Sequence, residues 1–114
     1  MYSLLLQLLS KQQRNLNLHL VSVKKTTKGN YKYIATFKNK KTEKTKSQGF
    51  GYRPMKDYTQ HKDKERRKNY RSRHAKDLNT NDPTRAGYLS YYILWGDSTS
   101  IRSNIASYKK KFGL

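Results

Sequence analysis

Asp82–Gly96, with the sequence DPTRAGYLSYYILWG, is the stretch that determines the fold. Asp82 followed by Pro83 predicts a helix start, because aspartate caps a first turn and proline there lacks only an N–H without a partner. Gly87 predicts close approach of a neighbour, since glycine otherwise destabilises a helix by about 1 kcal/mol. Gly96 predicts the helix end. The apolar side chains cover a wide surface, which is typical of a central core helix: Ala86, Leu89 and Ile93 in one row, and Tyr88, Tyr92 and Trp95 in the next.

A last helix is predicted to start at Asp97-Ser98-Thr99 and to end before Gly113. Its apolar residues follow an i, i+4, i+7, i+11 spacing, which places them on one face of an α-helix: Ile101, Ile105, Tyr108 and Phe112. Three consecutive lysines lie in the final turn, where the helix dipole favours positive charge.

Ahead of the core helix, residues 62–76 read KDKERRKNYRSRHAK and predict a strongly basic helix. Asp63 lies in the first turn, where the helix dipole favours acids, and it precedes Arg67 by four residues, which predicts an ion pair. Tyr70 and His74 are the main inward-facing candidates. The rest of this helix is therefore expected to face solvent or a partner.

Two-residue alternation near the beginning of the chain predicts strands. Leu16, Leu18 and Leu20 share one face of a first strand, and a polar stretch with a Gly29-Asn30 turn signal follows. A second strand has Tyr31, Tyr33, Ala35 and Phe37 on one face.

Residues 42–47 predict a third, weaker strand at a sheet edge, where lysines discourage pairing with another chain. Gly49-Phe50-Gly51 is interpreted as a break that begins a loop. The predicted class is α+β, with a small three-stranded antiparallel sheet followed by about three helices.

The chain has 26 Lys and Arg against 7 Asp and Glu, a net charge of +19. Such a charge favours polyanionic partners through steering and counterion release. Nucleic acid, an anionic membrane surface and an acidic protein face all remain open. There is no cysteine, so disulfides and cysteine-based metal sites are excluded.

The basic residues of two helices are the candidate binding residues for an anionic partner, because guanidinium groups suit bidentate contacts with phosphate or carboxylate. The alternative is a merely solvated face. The tyrosines could stack on single-stranded bases, but most occupy core-facing positions. The candidates are Arg66, Arg67, Lys68, Arg71, Arg73, Lys76, Lys109, Lys110 and Lys111.

Residue patterns for catalysis are weak, and we expect no enzyme, no cofactor, no metal and no small-molecule substrate. His61 and His74, with Asp63 and Glu65, are the nearest approach to a metal or nuclease cluster, but a spacing of thirteen residues does not fit one helix face. Gly49-Phe50-Gly51 is a lone Gly-x-Gly and favours a turn.

Residues 1–15 are interpreted as a leucine-rich docking segment before a single basic domain of residues 16–114. Met1–Ser10, MYSLLLQLLS, is too short to span a membrane, which takes roughly 20 apolar residues, and it lacks the features of a signal peptide. We expect its leucines to dock on this chain or a neighbour, with a weak membrane-surface contact as the alternative: Leu4, Leu5, Leu6, Leu8 and Leu9.

The stretches DYTQHKDKERRKNYRSRHAKD, NDPTRAGYLSYYILWG and SIRSNIASYKKKFGL, with NLHLVSVKK and KYIATF before them, resemble a small basic domain family of large DNA viruses of algae and amoebae. The resemblance covers roughly residues 17–114. It implies a viral source and a family of uncharacterised function, without catalytic residues to carry over. Small basic proteins of large icosahedral viruses are often virion components, which is an inference by association.

The first hypothesis is therefore a virion structural component, a minor capsid protein that bridges or cements major capsid protein assemblies from the inner side. The alternative is a nucleic-acid-binding protein packaged with the viral genome, and an adaptor on the inner membrane surface is a third reading. Either of the first two implies a virion location, with host cytoplasm during assembly.

Overall fold

The computed structural model describes residues 17–114 and has the predicted α+β fold. Its three strands are β1 (Leu18–Lys25), β2 (Tyr33–Asn39) and β3 (Thr45–Phe50). They form an antiparallel sheet in the order β1-β2-β3, which confirms the meander and places β3 at an edge. Residues 1–16, which include the predicted docking leucines, lie outside the described residues.

The third strand begins and ends later than predicted. Gly49 and Phe50 are part of β3, so the interpretation of Gly49-Phe50-Gly51 as the start of a loop was wrong for its first two residues. Phe50 is 1% exposed and pairs with Tyr33 across the sheet. Burial of a large aromatic ring outweighs the weak strand propensity of the neighbouring glycine. The chain turns at Gly51, which has a φ of +77°.

Four helices follow the sheet: α1 (Tyr58–His61), α2 (Lys64–His74), α3 (Ala86–Leu89) and α4 (Ile101–Phe112). A 3₁₀ segment, Ala75–Thr80, continues from α2. The wider turns of a π-helix continue α3 over residues 90–94. The basic helix and the amphipathic last helix are thus close to their predicted positions.

The core helix starts three residues after Pro83, so the prediction that Asp82 caps it was wrong. The residue before its first turn is Arg85, which has an extended backbone. Asp82 instead accepts hydrogen bonds from the backbone N–H and the hydroxyl of Thr84, at 3.0 and 2.6 Å. The Asp-Pro signal therefore closes a tight turn ahead of the helix, which is the other common use of an aspartate side chain.

The two glycines of this region act through close packing. A β-carbon on Gly87 would lie 2.9 Å from the β-carbon of Asp77, which confirms the predicted close approach. A β-carbon on Gly96 would collide with the carbonyl of Tyr92 and approach the amide of Asn104. Gly96 is thus required by packing rather than by a left-handed helix end.

The last helix begins at Ile101, with Ser100 as its cap, four residues after the predicted start. Its stripe packs as predicted, with Tyr108 fully buried and Ile101, Ile105 and Phe112 half-buried against the core. Asn104 is an addition that periodicity did not indicate, and it is 3% exposed.

One face of the sheet and the inner faces of the helices enclose a single core. Apolar burial on this scale is the main source of stability in a chain of this size, at roughly 25 cal/mol for each Å² removed from water. The fully buried large side chains are Leu20, Phe37, Phe50, Leu89, Ile93, Leu94 and Tyr108.

Candidate anion-binding surface

Hydrogen bonds at its start hold helix α2 in position. The Asp63 carboxylate accepts hydrogen bonds from the backbone N–H groups of Glu65 and Arg66, at 3.0 and 3.1 Å. The imidazole Nδ1 of His61 accepts from the backbone N–H of Asp63 at 2.9 Å. These bonds satisfy donors that a helix start leaves free, and they join α1 rigidly to α2.

The inner face of α2 is aromatic. Tyr70 lies flat on Trp95, with ring centroids 4.1 Å apart and planes 5° from parallel. His74 stacks on the other side of Tyr70, also at 4.1 Å. Tyr70 and His74 are therefore the inward-facing residues that the sequence predicted, and the stack determines which residues of α2 face outward.

The burial of Tyr70 predicts that the protein loses stability at alkaline pH. Burial raises the pKa of Tyr70 to about 12, and the nearby Asp77 carboxylate adds to the rise. Because the unfolded chain releases this proton near pH 10, we expect Tyr70 by itself to lower the free energy of unfolding by about 2–3 kcal/mol between pH 10 and pH 12. Tyr70→Phe should reduce this fall in chemical denaturation, whereas Tyr52→Phe at an exposed position should not.

An equal alkaline fall in Tyr70→Phe and in the wild-type protein would contradict the assignment. Burial also raises the pKa of Tyr108, so part of the decline should persist in Tyr70→Phe. A Tyr70→Phe, Tyr108→Phe double variant should then show the smallest decline.

Two of the nine candidate cations already have partners within the fold. The Arg67 guanidinium donates to the Gly96 carbonyl at 2.7 Å and to the Asp97 carboxylate, and Arg71 donates to Asp97 at 3.1 Å. Arg71 also lies over the Tyr91 ring, 4.7 Å from its centroid. The prediction of an ion pair between Asp63 and Arg67 was wrong, because the Arg67 guanidinium donates to Gly96 and Asp97 instead.

The remaining cations of this region face solvent and form no ion pair with any residue in the range 17–114. They lie on the outer side of α2 and on the 3₁₀ segment after it: Arg66, Lys68, Arg73 and Lys76. We call these four residues the outer cation set. Their contact with an anionic partner stays a prediction.

The lysines at the end of α4 partly join this surface. Lys110 and Lys111 are exposed, whereas Lys109 is half-buried. The Lys111 ammonium lies 5.4 Å from the centre of the Tyr92 ring. It shares a small cleft of about 130 Å³ with Arg71. The fold thus brings one residue of each predicted basic segment together.

All five aspartates form hydrogen bonds or ion pairs with other residues of this chain. Asp63 and Asp82 hold backbone groups in place, as described, and Asp97 pairs with two arginines. Asp57 pairs with Lys32 at 2.7 Å, and Asp77 lies 2.9 Å from the His74 imidazole. Hydrogen bonds and nearby cations lower the pKa of Asp82 against the opposing effect of its burial. Most lysines and arginines of the surface therefore have no internal counter-charge.

The histidines of the two helices have structural contacts. Because Nδ1 of His61 accepts a hydrogen bond, the neutral ring carries its proton on Nε2, which is buried without a polar partner among residues 17–114. Burial, followed by the nearby Arg66 charge, lowers the pKa of His61. Within the described range, no group of three or more His, Cys, Asp or Glu side chains could hold a metal ion.

Sequence reasoning missed two features that lie outside α2. One is the buried pair of Asp57 and Lys32, which borders an open cleft of about 660 Å³. The other is the position of Tyr31 on the outer face of the sheet, over Gly49. The prediction that Tyr31 shares a face with Tyr33, Ala35 and Phe37 was wrong for Tyr31, because β2 begins only at Tyr33 and the two-residue alternation does not extend back to Tyr31. Nothing in the local sequence indicates the first.

Residues 21–74 match the model of a family of unknown function (DUF5754), from the middle of β1 to the end of α2. The matched segment is slightly less than half of the chain, and it contains most of the sheet and the basic helix. No curated protein and no solved structure matches the chain. No helix formed by residues 17–114 is long and apolar enough to cross a membrane.

Proposed function

We propose that this protein is a virion structural component, a minor capsid protein that binds acidic faces of major capsid protein assemblies from the inner side. In this proposal the chain is encoded by a large DNA virus, as the resemblance of residues 17–114 implies. Its role is binding rather than catalysis, since its conspicuous histidines and carboxylates are occupied in holding helices together.

The observation that carries the proposal is the internal use of every aspartate beside unpaired cations. With Asp57 and Asp97 already bound to Lys32 and to two arginines, the outer cation set has no ion-pair partner among residues 17–114 and is open to carboxylates or phosphates on another molecule. Arginine forks suit carboxylates in bidentate geometry, and interfaces are enriched in arginine. Leu4–Leu9 would add an apolar contact with a neighbouring subunit.

A paired set of variants tests which surface binds the shell. We expect that changing the outer cation set to glutamine weakens binding to purified capsid protein assemblies by tenfold or more, since close interfacial charge pairs contribute about 1.5 kcal/mol or more. The control changes four exposed lysines elsewhere to glutamine and leaves the net charge equal: Lys40, Lys41, Lys44 and Lys56. The measurement is co-sedimentation with the assemblies at moderate salt.

Equal weakening in both sets would mean that net charge, not the α2 surface, is responsible. Wild-type protein that does not bind the assemblies would contradict the capsid role itself. Fractionation of gently opened particles gives an independent result, because a capsid protein should remain with the empty shell.

The second candidate function is binding to nucleic acid packaged with the genome. The arginines on the exposed side of α2 favour it, because guanidinium groups bind phosphates as well as carboxylates. Release with the genome fraction, and a log–log salt slope near −0.9 for each duplex phosphate contacted, would support this function over the first.

A further inference from the structure

The outer face of the sheet is a second cationic surface, separate from α2. Core residues of the strands all lie on the inner face, and the outer positions alternate with them. The strand register arranges the outer positions in three rows across the sheet: His19, Lys38 and Thr45; Ser22, Thr36 and Ser47; and Lys24, Ile34 and Gly49.

Tyr31 gives this face an exposed aromatic ring. Its Cγ, Cδ2 and Cε2 atoms occupy the space that a β-carbon on Gly49 would need, so the ring lies on the backbone of β3. Ile34 pairs with Gly49 and so borders the ring. The Tyr31 residue remains 44% exposed. A ring that rests on a strand with one side open to solvent is a stacking platform, since every nucleobase has a π-face.

Lysines lie at both ends of the outer face of the sheet. Lys38 is exposed in the first row of the outer face, and Lys24 is exposed in the third. Ile34 and Lys38 are four residues apart on β2, roughly 13 Å at 3.3 Å for each residue. That is the distance along β2 between the row of Lys24 and the row of Lys38.

Between the two lysines the face is neutral and polar. The middle row consists of hydroxyl side chains, with Thr36 and Ser47 oxygens 3.4 Å apart. None of the outer positions of β1, β2 or β3 carries a carboxylate. Hydroxyls flanked by lysines and an open ring are complementary to a strand with phosphates and unstacked bases, whereas an acidic protein would make no use of the ring.

We propose that the outer face of the sheet binds single-stranded nucleic acid, with a base stacked on Tyr31 and phosphates held by Lys24 and Lys38. This site goes beyond the capsid contact, because it uses a different surface and a different recognition chemistry. Duplex nucleic acid keeps its bases paired and stacked inside, so it cannot engage the ring.

Fluorescence anisotropy of the full-length chain with a labelled oligothymidylate of about 12 nucleotides tests the site, within the usual size range of such platforms. We expect Tyr31→Ala to weaken binding about 5- to 150-fold, and Tyr31→Phe to retain it, because stacking needs the ring and not the hydroxyl. A matched duplex should bind Tyr31→Ala and the wild-type protein equally.

The lysines are tested by salt dependence. Changing Lys24 and Lys38 to glutamine should reduce the log–log salt slope by about 0.7 for each lost contact, about 1.4 for the pair. Lys56→Gln with Arg102→Gln removes the same charge from exposed positions outside both surfaces and should leave the single-strand slope unchanged. Failure of the capsid binding test would not affect these outcomes, since that test concerns the outer cation set.

Ultraviolet crosslinking of the wild-type protein to the oligothymidylate avoids any dependence on how variants fold. A crosslinked peptide that contains Tyr31 is expected, and crosslinks confined to α2 would overturn the proposal. Wild-type affinity in a folded Tyr31→Ala would also overturn it. So would a dimer that Tyr31→Ala dissociates, since the face would then belong to a second copy of the chain.

Discussion

Asp57→Ala is expected to lower the free energy of unfolding by about 3–5 kcal/mol, because it leaves the Lys32 ammonium buried without its counter-charge. Asp57 is 3% exposed, and its Oδ2 lies 2.7 Å from Lys32 Nζ. The Lys32 side chain is itself only 11% exposed. Gln60 accepts the other hydrogen bond from this ammonium at 2.7 Å, but it supplies no negative charge.

Asp57 also caps α1. Its Oδ1 accepts from the backbone N–H of Thr59 at 2.9 Å, and the Gln60 side chain accepts from the backbone N–H of Asp57 at 3.0 Å. Asp57→Asn keeps a capping side chain and removes the charge, so it separates the two contributions. We expect Asp57→Asn to recover about 1 kcal/mol relative to Asp57→Ala.

Urea denaturation measures these differences, with Glu65→Ala as the control at an exposed carboxylate. In a double-mutant cycle, Lys32→Met should reduce the further cost of Asp57→Ala, because the buried cation is then absent. A cost for Asp57→Ala no larger than for Glu65→Ala would show that the pair is not buried in solution.

Asn104→Leu is expected to destabilise the protein by about 3 kcal/mol or more, although leucine is the more apolar residue in a buried position. The Asn104 amide donates to the carbonyls of Ile93 and Ser98, at 2.9 and 2.7 Å, and its oxygen accepts from the Ser98 N–H at 3.0 Å. Leucine cannot form these three hydrogen bonds, so the backbone groups of Ile93 and Ser98 lose their partners. Each buried polar group without a partner lowers the free energy of unfolding by about 1–3 kcal/mol.

Asn69→Leu is the matched control, because Asn69 is exposed on α2 and leucine is the better helix former there. We expect this control to be neutral or slightly stabilising in thermal unfolding. Similar melting temperatures for Asn104→Leu and Asn69→Leu would contradict the role of the buried amide. The bonds of Asn104 join the end of α3 to the start of α4, so Asn104→Leu should also broaden the near-ultraviolet signal of Trp95.

The strands and the amphipathic helices could be predicted because their signals are local. Leu18, Leu20, Ala35 and Phe37 alternate with polar residues, and a period of two places them on one face whatever the rest of the chain does. The stripe from Ile101 to Phe112 follows the helical period in the same way. The excess of cations is a matter of composition and needs no structure.

Element boundaries were less predictable where one residue type serves two purposes. Asp82 before Pro83 caps a turn as readily as a helix, and burial of Phe50 extends β3 through a glycine. For a similar reason, the sequence did not show which candidate cations are bound within the fold and which are exposed. Arg67 and Arg71 face the same way as Tyr70, and only the position of Asp97 shows that they are bound within the fold.

Periodicity and residue counts are sufficient to predict the α+β class, the approximate positions of the sheet and the helices, and the cationic character of the protein. Tertiary structure decided which cations have partners, why Asn104 is buried, and where Tyr31 lies. These depend on residues 11 to 30 positions apart that meet only after folding. No local pattern records such a meeting, since the free energy of each contact depends on the burial that the whole fold provides.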